Sequence, residues 1–179
     1  MELIPSRSES DWEHASEMLF AVADWLYSMN AGLWSKDQVS IESLRNDYQL
    51  NQLFWLRHES QIVGLVFLMD SDPFFWPQPD TRSSLYFHKL AIHPSYSKKG
   101  FGKLALDKIR EYAISKGCEW IRLDCDDRES LHSFYSSNGY QLVDVEPMQE
   151  YMVARYQLLT SQFNTQPSAA GTAQSAAPN

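Results

Sequence analysis

An apolar strand that runs into a basic, glycine-bearing loop and then into an amphipathic helix constrains this chain more than any other part of it. The segment is LYFHKLAIHPSYSKKGFGKLAL, Leu85 to Leu106. Leu85 to Ile92 is dense in β-branched and aromatic residues and is stopped by His93-Pro94, which predicts a strand. Beyond the glycines, Ala105, Ile109 and Tyr112, flanked by Leu106 and Ala113, mark one helical face. The first N–H groups of such a helix have no partner within it, and the macrodipole adds positive charge there. Gly100 and Gly102 let the backbone approach an anion closely, and Lys98, Lys99 and Lys103 add mobile positive charge. A ligand that carries phosphate is therefore expected at this loop.

Spacing separates the folds that use such loops. A Walker-A loop needs four residues between its glycines and Ser or Thr after the lysine, whereas here Phe101 alone separates Gly100 from Gly102 and Leu104 follows Lys103. A dinucleotide site fits better. Gly100-Phe101-Gly102-Lys103-Leu104-Ala105 matches G-x-G-x-x-[GA], and Asp124 ends a later apolar strand. Against it stands His93–Lys99, inserted where that fold turns from strand straight into glycine.

LAIHPSYSKKGFGKLAL also resembles motif A of the GNAT superfamily of N-acetyltransferases: a strand ending Leu-Ala-Val/Ile-x-Pro, a loop [QR]-x-x-G-x-[GA], then a helix. Ser97-Lys98-Lys99-Gly100-Phe101-Gly102 occupies that loop, with Ser97 where the family has Gln or Arg. Leu131 to Tyr140, LHSFYSSNGY, is similar to the next signature of the family, A-x-x-[LF]-Y-x-x-x-G-[FY], in the family's order.

The chain has 179 residues, 44% of them hydrophobic, which suits one domain, placed at 1–160. From Ser161 onward there is no charged residue and little apolar bulk, so 161–179 reads as a disordered tail. A net charge of −8 argues against a general nucleic-acid binder. No run approaches a membrane span and the first residues lack signal-peptide character, so a cytoplasmic protein without a membrane partner is expected. Cys118 and Cys125 flank one short strand at no zinc spacing; no metal site is expected.

In chain order, Glu2–Pro5 reads as a strand, and Ser10-Asp11-Trp12-Glu13 as a capping box that opens a helix to about Ser28. A second helix should run from Lys36 or Ser40 to Tyr48. Leu53–His58 and Gln61–Met69 alternate around Glu59-Ser60 as a hairpin, with Gly64 at a bulge. Residues Ser71 to Asp80 form a proline-rich loop whose Phe74, Phe75 and Trp76 either face a substrate or fold back onto the core; both readings stand. Trp120–Cys125, a helix from Asp126 through Tyr135, and strands Tyr140–Val145 and Tyr151–Leu158 complete the chain. The expected fold is α/β (α+β): a mixed, mostly antiparallel sheet with helices on both faces in the order β-α-α-β-β-β-α-β-α-β-β, which is the GNAT order.

The resemblance implies acetyl-CoA as cofactor and acetyl transfer to a primary amine, small-molecule or peptide, by direct attack, with a homodimer as a further expectation. A non-catalytic acyl-CoA-binding domain and, less well matched, a dinucleotide-dependent oxidoreductase are the alternatives. On the GNAT pattern, the backbone of Leu90, Ala91 and Ile92 serves pantetheine, and Ser97, Lys98, Lys99, Gly100, Phe101, Gly102 and Lys103 serve the pyrophosphate. Tyr135 falls at the position of the general acid, and Arg128 replaces the family's Asn, from where it can reach phosphate or solvent. His88 and Asp124 are candidate bases; by simple alternation His88 shares a face with Tyr86, Leu90 and Ile92, so a buried structural histidine is an equal reading. Asp124 can equally cap the following helix. Trp34, Asp72, Phe75 and Trp76 are candidate acceptor contacts. Asp70, Asp72, Asp80, Glu146 and Glu150 would suit a cationic amine, with Trp76 over it.

Overall fold

The structure, a computed structural model, describes residues 1–77, 83–148 and 151–162. Asp80, Glu150 and the tail from 163 onward lie outside the described residues. Seven strands, β1 (Glu2–Pro5), β2 (Leu53–His58), β3 (Gln61–Met69), β4 (Ser84–Ile92), β5 (Trp120–Asp126), β6 (Gln141–Met148) and β7 (Tyr151–Leu159), form one sheet in the order β1-β2-β3-β4-β5-β7-β6. Every neighbouring pair is antiparallel except β4 and β5, which are parallel. Helices α1 (Asp11–Ser28), α2 (Ile41–Asp47), α3 (Phe101–Ser115) and α4 (Glu129–Ser137) complete the predicted element order.

Alternation along the strands sorts the apolar residues into two cores. Leu53, Trp55, Leu65 and Phe67 pack under α1 and α2 against Trp12, Ala15, Leu19, Val22 and Leu44. Phe54, Leu56, Val66 and Leu68 point the other way, to Ala105, Leu106, Ile109 and Ala113 of α3 and Tyr135 of α4. A fully buried Leu on either side is worth roughly 1.5–3 kcal/mol.

One local reading changes, and one that left two starts open is resolved. The expected capping box does not form: Ser10 sits in a helical conformation without a side-chain cap. Asp11 takes over, and its Oδ2 accepts from Ser6 Oγ at 2.6 Å and from the Arg7 and Ser8 N–H groups at 3.1 Å. Of the two starts read for the second helix, Ser40 is the one found: it ends a separate 3-10 turn, Asp37–Val39, and caps α2 by accepting from the Ser43 N–H.

The feature that shapes the middle of the sheet is a bulge in β4. Leu65 pairs with Ala91 and Phe67 with His88, so Lys89 and Leu90 together oppose Val66. Lys89 takes φ +48, a conformation unusual for a residue with a side chain. The bulge reverses side-chain parity: Leu90 and Ile92 join the core under α3, while Ala91 faces α1. His88 therefore does not share a face with Leu90 and Ile92, because simple alternation fails where one strand gains a residue. A Cβ on Gly64 would lie 2.1 Å from the Ala91 carbonyl oxygen, so only glycine lets β3 approach the bulged strand.

Candidate active site

β4 and β5 pair only from Ser84 to Tyr86 against Trp120 to Arg122. Beyond that point they separate, and a cavity of about 820 Å³ opens between them. Leu90 and Ile92 line one side, Asp124, Cys125 and Asp126 the other, and Tyr135 and Phe134 of α4 a third. Its far end is closed by Leu33, Trp34, Asp47 and Tyr48 from the α1–α2 region and by Phe74 and Phe75.

At the near end, Pro94–Tyr96 forms a 3-10 turn and Lys98 turns through φ +59. Gly100, at φ +80, is the N-cap of α3 and offers no side-chain cap. The first backbone bond of the helix is Leu104 N–H to the Gly100 carbonyl, which leaves the N–H groups of 101–103 without partners in the helix. A Cβ on Gly100 would meet nothing within 4 Å, so an open cradle lies above this helix end; at Gly102 it would press on Phe134 at 3.2 Å. Loop and helix end fit a phosphate-bearing cofactor. Lys98 is exposed, Lys99 donates to the Ser95 carbonyl at 3.1 Å, and Lys103 lies 3.4 Å from Asp107.

Deep in the cavity His88 lies between two carboxylates. Its Nε2 is 3.1 Å from Asp72 Oδ2 and its Nδ1 3.4 Å from Asp124 Oδ1; their side chains are 8%, 4% and 13% exposed. Neither contact is aligned as a hydrogen bond, so these buried oxygens keep capacity to accept a proton donor. Burial alone would lower the His88 pKa, but Asp72 and Asp124 outweigh it and raise the value. Burial pushes Asp124 up to about 6, against the pull of His88. The three present ligand atoms within 4.8 Å of one another. Because the two carboxylates face opposite edges of the imidazole, the arrangement suits a proton better than one shared metal ion.

Tyr135 lines the cavity from α4, and its hydroxyl makes no hydrogen bond among the described residues. Burial holds its phenol well above the ordinary value of 10, so it stays protonated. Cys125 is pushed up to about 12 by burial and by the charge of Asp124, so its thiol is a poor nucleophile.

Not every candidate reaches the cavity. Arg128 turns away from the glycine loop: it pairs with Asp126 and donates to the carbonyls of Ala31 and Gly32 at 3.1 and 2.9 Å. It thereby fastens the turn after α1 beside the site. Trp76 packs against the guanidinium groups of Arg122 and Arg155, at 4.9 and 5.3 Å from the ring centre, and does not line the cavity. Arg155 also donates to the Phe75 carbonyl at 2.8 Å and binds Asp144 through two bonds, which pins the aromatic loop to the β6–β7 hairpin. Glu146 likewise pairs with Arg155. Phe75 does reach the cavity, 5.8 Å from the His88 ring, whereas Phe74 lines its rim and is 60% exposed. Lys89, Asp47 and Tyr48 also line the cavity, and the sequence reading had given them no role. The signal for Lys89 was a lysine inside an otherwise apolar strand.

The model of the acetyltransferase (GNAT) domain matches residues 50–142, more than half of the chain. The chain belongs to the GNAT acetyltransferase family. Its relatives include a Bacillus subtilis (strain 168) protein described as the uncharacterized N-acetyltransferase YesJ, 26% identical over 144 residues that cover 76% of this chain and 79% of that one. Among solved structures, a GNAT acetyltransferase from Listeria monocytogenes superposes with a TM-score of 0.68 at 15% identity, over 86% of this chain and 91% of the other. The acetyltransferase yncA of Salmonella typhimurium, solved with its cofactor acetyl-CoA, gives 0.60 at 16% identity over 94% and 99%. At these identities the structures establish the GNAT fold. The dinucleotide reading is overturned: β2, β3 and β4 run antiparallel in succession, where a doubly wound fold has parallel strands joined by crossover helices. Among the described residues no helix is long and apolar enough to cross a membrane.

Proposed function

We propose that this GNAT protein is an acetyl-CoA-dependent N-acetyltransferase that acts on a primary amine by direct attack. The observation that carries the reading is that one cavity joins a helix end suited to phosphate, a protonated tyrosine and a carboxylate–imidazole cluster suited to taking a proton. Acetyl-CoA, when bound, supplies a thioester whose acetyl carbon gains the bond to the amine nitrogen as the bond to sulfur breaks. Ser97 to Lys103, with the free N–H groups at the start of α3, would hold the pyrophosphate, and the edge of β4 at Leu90 to Ile92, which β5 leaves unpaired, the pantetheine. Asp124, pushed up to about 6, is matched to accept a proton from an ammonium near neutral pH, and His88 holds the charge of the cluster in balance. Tyr135 holds the proton that a departing thiolate requires. The high value at Cys125 disfavours an acetyl-cysteine route and favours direct attack.

The test is Tyr135→Phe. Acetyl-CoA binding by calorimetry should stay within a few-fold of the unmodified protein while turnover falls about 100-fold or more. An unaltered rate would remove Tyr135 as the acid, and failure of the unmodified protein to bind acetyl-CoA would refute the function.

A further inference from the structure

The cavity holds an ammonium that acetyl transfer to a plain amine does not need. Lys89 sits in the β4 bulge at φ +48, next to His88, and lines the acceptor end of the cavity. Its Nζ lies 5.3 Å from the centre of the Trp34 ring, and among the described residues it forms neither a hydrogen bond nor an ion pair. Burial lowers its pKa, and the charges of Asp47 and Asp124 oppose that shift. An ammonium on the cavity wall that no carboxylate meets in a direct ion pair is costly, and so is a backbone conformation that aims it there. Both costs are offset if a ligand brings an anionic group into direct contact with Lys89.

We propose that the acceptor is a small zwitterion of the amino-acid type, whose amine faces Asp124 and His88 while its carboxylate pairs with Lys89. The inference rests on the acetyltransferase reading and names its substrate class. Lys89 follows His88, which contacts Asp124, and all three line the cavity, so the wall presents a proton-accepting carboxylate and a cation to the same space. The buried Asp124 Oδ1, without an aligned partner, is the complement of an amine. Lys89 is the complement of one negative charge. A phosphate would bring up to two charges into a space already lined by Asp47, Asp72 and Asp124, with one lysine to meet them. A diamine or polyamine would set its second cation against Lys89, so the cationic acceptor favoured by the acidic composition is disfavoured by the wall. Trp34, Tyr48 and Phe75 leave an aromatic surface for an apolar side chain.

The experiment compares matched pairs: phenylalanine with phenethylamine, and leucine with isoamylamine. Acetyl-CoA-dependent product formation and calorimetric binding in the presence of CoA are measured for the unmodified protein, Lys89→Gln and Lys89→Arg. The amino acid of a pair should be preferred by about 10- to 100-fold. Lys89→Gln should bring the two to within about threefold, and Lys89→Arg should keep the preference. Acetyl-CoA binding by Lys89→Gln reports that the variant is folded. If acetyl-CoA binds but the amines match or exceed their amino acids, or if Lys89→Gln lowers both members of a pair equally, the zwitterion assignment is overturned while the acetyltransferase reading survives. If the unmodified protein does not bind acetyl-CoA, that reading fails and the assignment falls with it.

Discussion

Replacing Asp124 with Asn tests the carboxylate–imidazole cluster through two independent readouts. With the folded carboxyl at about 6, about one-eleventh of it is ionised at pH 5 and about ten-elevenths at pH 7. If the ionised form takes the proton of the acceptor, kcat/KM should rise about tenfold from pH 5 to pH 7, with its inflection near 6. Product should be counted by chromatography, because thiol reagents lose response at low pH. In Asp124→Asn the plateau should fall and that inflection should vanish. Stability supplies the second readout. A carboxyl whose folded pKa lies above its ordinary 3.8 holds its proton more tightly in the folded than in the unfolded chain, so its contribution is lost as pH rises from about 4 to about 6. That span is worth at most about 3 kcal/mol, or about 6–12 °C in Tm for a domain of this size. His88, raised from 6.5, also loses its contribution with rising pH, but at higher pH, so the lower window belongs to Asp124. Thermal unfolding from pH 4 to 6 should show Tm falling in the unmodified protein and nearly level in Asp124→Asn. Parallel curves, or an activity limb that survives the substitution, would refute the assignment.

Two more outcomes follow from the geometry. Arg128→Gln removes the donors to Ala31 and Gly32, so acceptor KM should rise severalfold while acetyl-CoA affinity holds; loss of cofactor affinity instead would place Arg128 on the phosphates. Gly64→Ala puts a methyl group 2.1 Å from the Ala91 carbonyl oxygen and should cost about 2–3 kcal/mol or more, read by urea unfolding, with unchanged stability as the contrary result.

Much of the fold was legible because it is local. The hairpin Leu53–His58 and Gln61–Met69 has the boundaries that strand-forming residues and the Glu59-Ser60 turn predict, and Glu59 takes φ +54 there. Gly64 does lie beside a bulge, since Val63 has no counterpart between the pairs Leu56–Gly64 and Arg57–Ile62. The glycine loop was readable because glycine is the residue a positive φ selects, as at Gly100. The Ser10 box misled because a local pattern cannot show that Asp11 will reach back to Ser6. Arg128 and Trp76 misled for the same reason at longer range. Their partners are carbonyls and guanidinium groups far away in sequence that only folding brings near, as with Arg128 and Ala31, whose separation is 97.

The part least legible is the part on which the site depends. Nothing in the run Tyr86-Phe87-His88-Lys89-Leu90 announces an extra residue, because a bulge is fixed by the register against β3 and not by its own sequence. Yet that one residue does three things. It sends Leu90 and Ile92 to the α3 core while Ala91 keeps to the α1 side. It turns Lys89 into the cavity beside His88. It also falls within the part of β4 that no longer pairs with β5, where backbone groups are free to meet a ligand. A straight β4 would return Leu90 to the face of His88 and leave no second charge on this wall of the cavity. The bulge is therefore the structural cause of the wall on which the proposed acceptor site rests, and Gly64, without a Cβ, is what allows the neighbouring strand to close on it.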